Sequence, residues 1–76
     1  MNWQDYITIN PEIMIGKPVI RGTRITVENI VEELACGYTF QEILTAHPRL
    51  SQEAILAALH YAAAIMKNEK VYPVSV

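Results

Sequence analysis

One cysteine, one phenylalanine, one tryptophan and three glycines are all that this chain of 76 residues carries of those types. The lone Cys36 closes no intrachain disulfide, and a zinc site built on sulfur needs several thiolates at fixed spacing. His47 and His60 stand apart, with no Cys or Asp cluster beside either. The chain is therefore read as holding no metal and no cofactor. Small domains bury a modest share of their surface, and without disulfide or metal they rely on self-association. A single thiol also suits a reducing compartment. Long hydrophobic runs are missing: the most apolar stretch, residues 54–66, is interrupted by His60 and is too short to span a bilayer. The opening MNWQDY has no basic or apolar leader character, so a cytoplasmic protein away from membranes is expected.

Positive charge is scarce too. Six Lys and Arg stand against eight Asp and Glu, a formal net charge of −2. A chain that binds nucleic acid through its whole surface carries the opposite balance, so any contact with DNA must come from a local patch. Hydrophobic residues make up 51% of the chain, which in so small a domain points to an interface.

Nor is there a set of residues for catalysis. Ser51 is explained as a helix cap, Cys36 as a small buried hydrophobe, and His47 by the helix C-terminus it sits on. The stretch GKPVIRGTR has the lysine and glycines of a phosphate loop without its order: Lys17 follows Gly16 directly and precedes Pro18. Nucleotide binding of that kind is excluded, and the chain is read as a binding protein, not an enzyme.

The pattern divides one domain, residues 1–76, at Thr26. Residues 6–26 read as a strand and hairpin region. DYITIN alternates with period two and ends at Asn10-Pro11. PVIR and RIT flank Gly22-Thr23, where glycine in the first loop position suits a type II′ turn. That turn would set Arg21 opposite Arg24, a destabilising pair unless an anion lies near. The candidates for that anion are Glu28 and Glu32 of the helix that follows, close in sequence, and an external partner.

Residues 26–67 read as three helices. Thr26 caps the first, whose Val27, Ile30, Val31 and Leu34 form an apolar stripe, and Gly37 ends it. Thr39 and Glu42 make a capping box for the second, which Pro48 stops. Ser51 caps the third. Apolar residues before each cap pair with one in the helix: Ile25 with Ile30, Tyr38 with Ile43, Leu50 with Ile55. The third helix is apolar nearly all round, which suits burial from more than one side. Leu59 is expected in the core, and Leu56, Leu59, Ala63 and Met66 are candidates for a homodimer interface. Residues 68–76 form a tail whose VYPVSV could add an edge strand, limited by Pro73.

The second and third helices with their short connection fit a helix-turn-helix, and equally a plain three-helix bundle. In the first case Arg49, Ser51 and Gln52 sit where base and phosphate contacts are made, with Arg21 as a further phosphate contact. Glu53 opposes such contacts.

The run from Gly16 to the third helix closely resembles the domain-of-unknown-function family numbered 433, whose hallmark is Gly-x-Pro-x-Ile-x-Gly-Thr-Arg. Gly16, Pro18, Ile20, Gly22, Thr23 and Arg24 match it, and Val27, Gly37, Glu42, Pro48 and Ala58 fit the family's helical part. The resemblance covers about residues 6–66. It implies a mainly α, homeodomain-like three-helix fold preceded by a short β-hairpin. Gly-Thr-Arg being its most specific block, the resemblance also implies that Arg24 is held by the fold and that Arg21 faces solvent. It implies an antitoxin of a toxin–antitoxin pair, binding operator DNA and a toxin that resembles PIN-type ribonucleases. The alternative is a homodimeric protein-interaction module that binds no DNA.

Overall fold

Each helix begins where a side-chain oxygen meets an otherwise unpaired backbone N–H. A computed structural model describes residues 2–68, with helices α1 (Val27–Ala35), α2 (Phe40–Ala46) and α3 (Gln52–Asn68). The Thr26 hydroxyl accepts from the Asn29 amide at 2.9 Å, and the Ser51 hydroxyl from that of Ala54 at 3.1 Å. At α2 the expected capping box is complete: Thr39 Oγ1 accepts from the Glu42 amide at 3.1 Å, and Glu42 Oε1 accepts from the Thr39 amide at 2.9 Å. Between α1 and α2 the chain turns through Gly37, at φ 97°. The Tyr38 amide donates to the Glu33 carbonyl and the Gly37 amide to that of Leu34. These are the two bonds of a Schellman motif, and its left-handed residue favours glycine. The expected edge strand at the C-terminus lies outside the described residues.

Two short strands precede the helices. β1 (Ile7–Thr8) pairs antiparallel with β2 (Val19–Ile20), Ile7 opposite Ile20 and Thr8 opposite Val19. The strand read over residues 5–10 is thus shorter at both ends. Its front is a 3₁₀ turn, Trp3–Tyr6, and at its back the Asn10 side chain accepts from the Glu12 amide at 2.9 Å, so the chain turns there. The second strand pairing expected across Gly22-Thr23 is reduced to one bridge, Val19 with Thr26.

The core lies where the three helices and β2 meet. Ile20, Val27, Ile30, Ile43, Leu50, Ala54, Ile55 and Ala58 form it, with Ile25, Val31, Leu34, Phe40 and Leu44 packed against it. Ile25 and Leu50 enter the core as the staples require, whereas Tyr38 remains 53% exposed. The Trp3–Tyr6 turn covers a further flank of α3: Trp3 meets Tyr61 edge to face, ring centroids 5.8 Å apart. With that flank taken, the core side of α3 is Ala54, Ile55 and Ala58, and Ala57 is buried beside it. Leu59 is turned away from the core and only half-buried, contrary to expectation. A helix apolar all round has no single stripe by which its rotation can be read. Cys36, expected buried, is exposed, because it occupies the C-cap of α1 at the protein's edge.

Side chains tie the layers together. His47, at the end of α2, does more than face a helix terminus: its Nε2 lies 3.0 and 3.3 Å from the two carboxylate oxygens of Glu33 on α1. Asn29 Nδ2 donates to the same carboxylate at 3.0 Å. Lys17 Nζ reaches Glu28 at 3.1 Å, and the Val27 amide donates to the Pro18 carbonyl, anchoring the start of α1 to the strand region.

Candidate functional site

The site is built on the turn that leaves β2. The Thr23 amide donates to the Ile20 carbonyl at 3.0 Å, so the four-residue turn is Ile20-Arg21-Gly22-Thr23. Gly22 is its third residue, at φ 80°, while Arg21 keeps a negative φ. That is type II geometry, with glycine where φ must be positive. It differs by one position from the expected II′ turn. The reason is a commitment elsewhere: the Arg21 amide donates to the Tyr6 carbonyl at 2.8 Å, which extends the β1–β2 pairing by one position and holds Arg21 beside Tyr6. The loop closes instead between Ile20 and Ile25, the Ile20 amide donating to the Ile25 carbonyl at 2.9 Å. Arg21 and Arg24 are loop residues, not a facing pair.

Thr23 locks this turn from inside. Its hydroxyl donates to the Ile20 carbonyl at 2.8 Å and accepts from the Ile25 amide at 3.0 Å. Serine or threonine is needed for both roles, since the hydroxyl is donor and acceptor at once.

All three arginines of the chain gather here. Arg21 Nε donates to the Asp5 carbonyl at 2.7 Å. Arg49, from the connection between α2 and α3, reaches back across 27 positions and donates through Nη2 to the Gly22 carbonyl at 2.8 Å. Arg24 makes no hydrogen bond or ion pair among the described residues. Arg21 is exposed, as expected, yet it is the one tied to the fold by its side chain; Arg24, expected to be held, is uncommitted among the described residues. Among the described residues none of the three arginines is paired with a carboxylate, although the chain is acidic.

Arg24 and Arg49 line one cleft of about 450 Å³, with Thr8, Ile13, Val19, Gly22, Thr23 and Ile25. No acidic residue belongs to its wall. Its lining joins apolar Ile13, Val19 and Ile25 to two arginines. Guanidinium presents five N–H donors in a planar fork that matches phosphate and carboxylate. Among the described residues Arg24 has all of its side-chain donors uncommitted, and Arg49 bonds only through Nη2.

The other candidate residues fall elsewhere. Ser51 is exposed and spends its hydroxyl oxygen on the Ala54 amide, and Gln52 is exposed in the first turn of α3. Neither lines the arginine cleft. Leu56, Leu59 and Ala63 share a shallow groove with His60. Met66, 75% exposed, belongs to a different groove with Val31, Tyr61, Ala62 and Ile65. The expected dimer face is thus two apolar faces of α3. Thr8 and Ile13 were not legible as site residues, since their place in the cleft depends on the pairing of β1 with β2.

Among the described residues no three His, Cys, Asp or Glu side chains gather as metal ligands, and no helix is long and apolar enough to cross a membrane.

A family model described as a protein of unknown function, DUF433, matches residues 7–62. The chain belongs to the DUF433 family. It is 38% identical over 61 residues to the uncharacterized protein y4eO of Sinorhizobium fredii, a match covering 80% of this chain and 28% of that protein. The crystal structure of a DUF433 member from Anabaena variabilis aligns with a TM-score of 0.75 at 35% identity, over 86% of this chain and 61% of that one. The chain thus spans only part of the length of both relatives. The DUF433 match begins in β1 and ends in α3, so it takes in the arginine turn and the whole three-helix core.

Proposed function

We propose that this DUF433 chain is a small cytoplasmic regulator of the antitoxin kind, a binding protein and not an enzyme. In this reading it contacts operator DNA through the arginine turn. It uses the open apolar faces of α3 against protein, first a second copy of itself and then a toxin resembling PIN-type ribonucleases. One observation carries the reading: three arginines converge on one turn of an acidic chain without a carboxylate partner among the described residues. Cations left uncompensated by the fold favour an external anion, and a phosphate backbone offers a row of them. The toxin partner rests on the family resemblance, and the dimer on two apolar faces of α3, one with exposed Ile65 and Met66 and the other with half-buried Leu56 and Leu59.

A second reading is favoured by a specific observation. In a helix-turn-helix the first turn of the last helix enters the major groove. Here Arg49 is committed to Gly22, the Ser51 hydroxyl caps the helix, and Glu53 adds negative charge. This supports an interaction module whose third helix reads no bases. A labelled duplex from the promoter of the chain's own gene separates the two. Fluorescence anisotropy at about 50 mM salt should show binding that weakens steeply towards about 200 mM. No binding at the lower salt refutes the DNA contact and leaves the interaction module.

A further inference from the structure

We propose that the cleft between the hairpin turn and the α2–α3 connection is a binding site for one phosphate group carrying an organic substituent. The site rests on the anionic partner proposed for the arginine turn and says where that anion sits. Three features of the cleft lead there. First, two arginines, Arg24 and Arg49, line it and no acidic residue does. Like charges on one wall, with no counter-charge built in, are stabilised by an anion between them. Second, the chemistry of the rim selects the anion. One guanidinium fork engages both oxygens of a carboxylate, whereas a phosphate keeps a further oxygen for a second, separate donor set. Arg24 offers a whole fork, and Arg49 the donors that Gly22 leaves free. Third, the cleft is larger and greasier than a bare ion needs. Ile13, Val19 and Ile25 provide an apolar wall in a volume of about 450 Å³, which suits a sugar or other organic group attached to the phosphate. The same wall holds Thr8, whose hydroxyl is buried and has no hydrogen-bond partner among the described residues.

The roles of the two arginines differ. Arg49 is a strut as well as a ligand, because its bond to the Gly22 carbonyl fixes the turn against the helical layer. Arg24 is held by nothing else among the described residues, so its side chain is available to close over the bound group. The phosphate can belong to a nucleic-acid backbone or to a free phosphorylated small molecule, and the chemistry at the rim is the same.

The test is an NMR titration of the full chain with inorganic phosphate, then a nucleoside monophosphate, each against chloride at matched ionic strength. Saturable shifts are expected at the amides of Gly22 and Thr23 and at the Arg24 and Arg49 side-chain N–H groups, with the nucleotide tighter than inorganic phosphate. Arg24→Gln should weaken both by about tenfold or more, the scale of one charge-assisted hydrogen-bonded contact. Arg24 makes no bond within the described fold, so this variant keeps the turn, and an unshifted Thr23 amide in the free variant verifies it. Shifts no larger than those with chloride overturn the site. So does an Arg24→Gln variant that binds phosphate as the native chain does. A labelled duplex, run in parallel, separates this site from the reading it rests on. Duplex binding with no phosphate response at the cleft refutes the site and leaves the DNA contact standing. Phosphate and nucleotide binding with no duplex binding upholds the site and assigns it to a small phosphorylated molecule.

Discussion

Thr23→Val removes one hydroxyl and keeps the shape of the side chain, so it isolates what that hydroxyl does for the turn. The two bonds lost are unequal. The Ile20 carbonyl loses the Thr23 hydroxyl at 2.8 Å but keeps the Thr23 amide at 3.0 Å, so it remains satisfied. The Ile25 amide loses its acceptor at 3.0 Å, and Ile25 is half-buried against the core. One net hydrogen bond is worth about 0.5–1.5 kcal/mol, and an amide left unpaired in a half-buried place falls toward the lower part of about 1–3 kcal/mol. The expected cost is about 1–2 kcal/mol. In a domain of this size that lowers Tm by roughly 4–16 °C. Thr23→Ser, which keeps the hydroxyl, should lose less than half as much. Thermal melts followed by circular dichroism, on both variants at equal protein concentration, make the comparison. A Thr23→Val variant that melts with the native chain, or a Thr23→Ser variant that melts as low as Thr23→Val, refutes the description of this turn.

Neighbouring positions carry further expectations. Arg24→Ala should leave stability within about 0.5 kcal/mol, whereas Arg21→Ala, which gives up the bond to the Asp5 carbonyl at an exposed site, should cost about 0.5–1 kcal/mol in urea melts. The opposite order would restore the assignment read from the sequence. Gly22→Ala meets nothing within 4 Å, so its cost is conformational alone, about 1–2 kcal/mol for a left-handed alanine; a neutral result would show that Gly22 is not held at φ 80°. Ile43→Ala empties the centre of the bundle at a residue with no exposed surface and should cost about 2–5 kcal/mol, enough to leave a marginal domain largely unfolded. Sedimentation at micromolar concentration should give twice the 8.6 kDa chain mass, and a clean monomer would remove the homodimer from the proposal.

The helix starts were legible because their signals are local. Thr26, Thr39 with Glu42, and Ser51 each act on a backbone amide three residues on, and Gly37 ends α1 through bonds confined to one turn. What depends on a distant partner was not legible. The turn at Gly22 is type II because Arg21 is engaged by Tyr6, on a part of the chain that no turn rule considers. The same engagement, with Arg49 reaching Gly22, decides which arginine is left free. The rotation of α3 was ambiguous for a different reason. With alanines and leucines on every face, its orientation is set by Trp3 packing on Tyr61, and the Trp3–Tyr6 turn has no periodic signal. The cluster at the candidate site was half legible: Gly-Thr-Arg drew attention to the turn, but nothing in the pattern brought Arg49 to it.

If this turn is an anion-binding surface whose free ligand is Arg24, the salt dependence of duplex binding tests it most directly. The native chain and Arg24→Gln are compared by anisotropy over the same salt series. Weaker binding by the variant at every salt is expected, with a log–log slope smaller by roughly one, as for the loss of one phosphate contact. Equal affinity and equal slope for the two proteins would contradict the assignment of Arg24 as the anion's ligand.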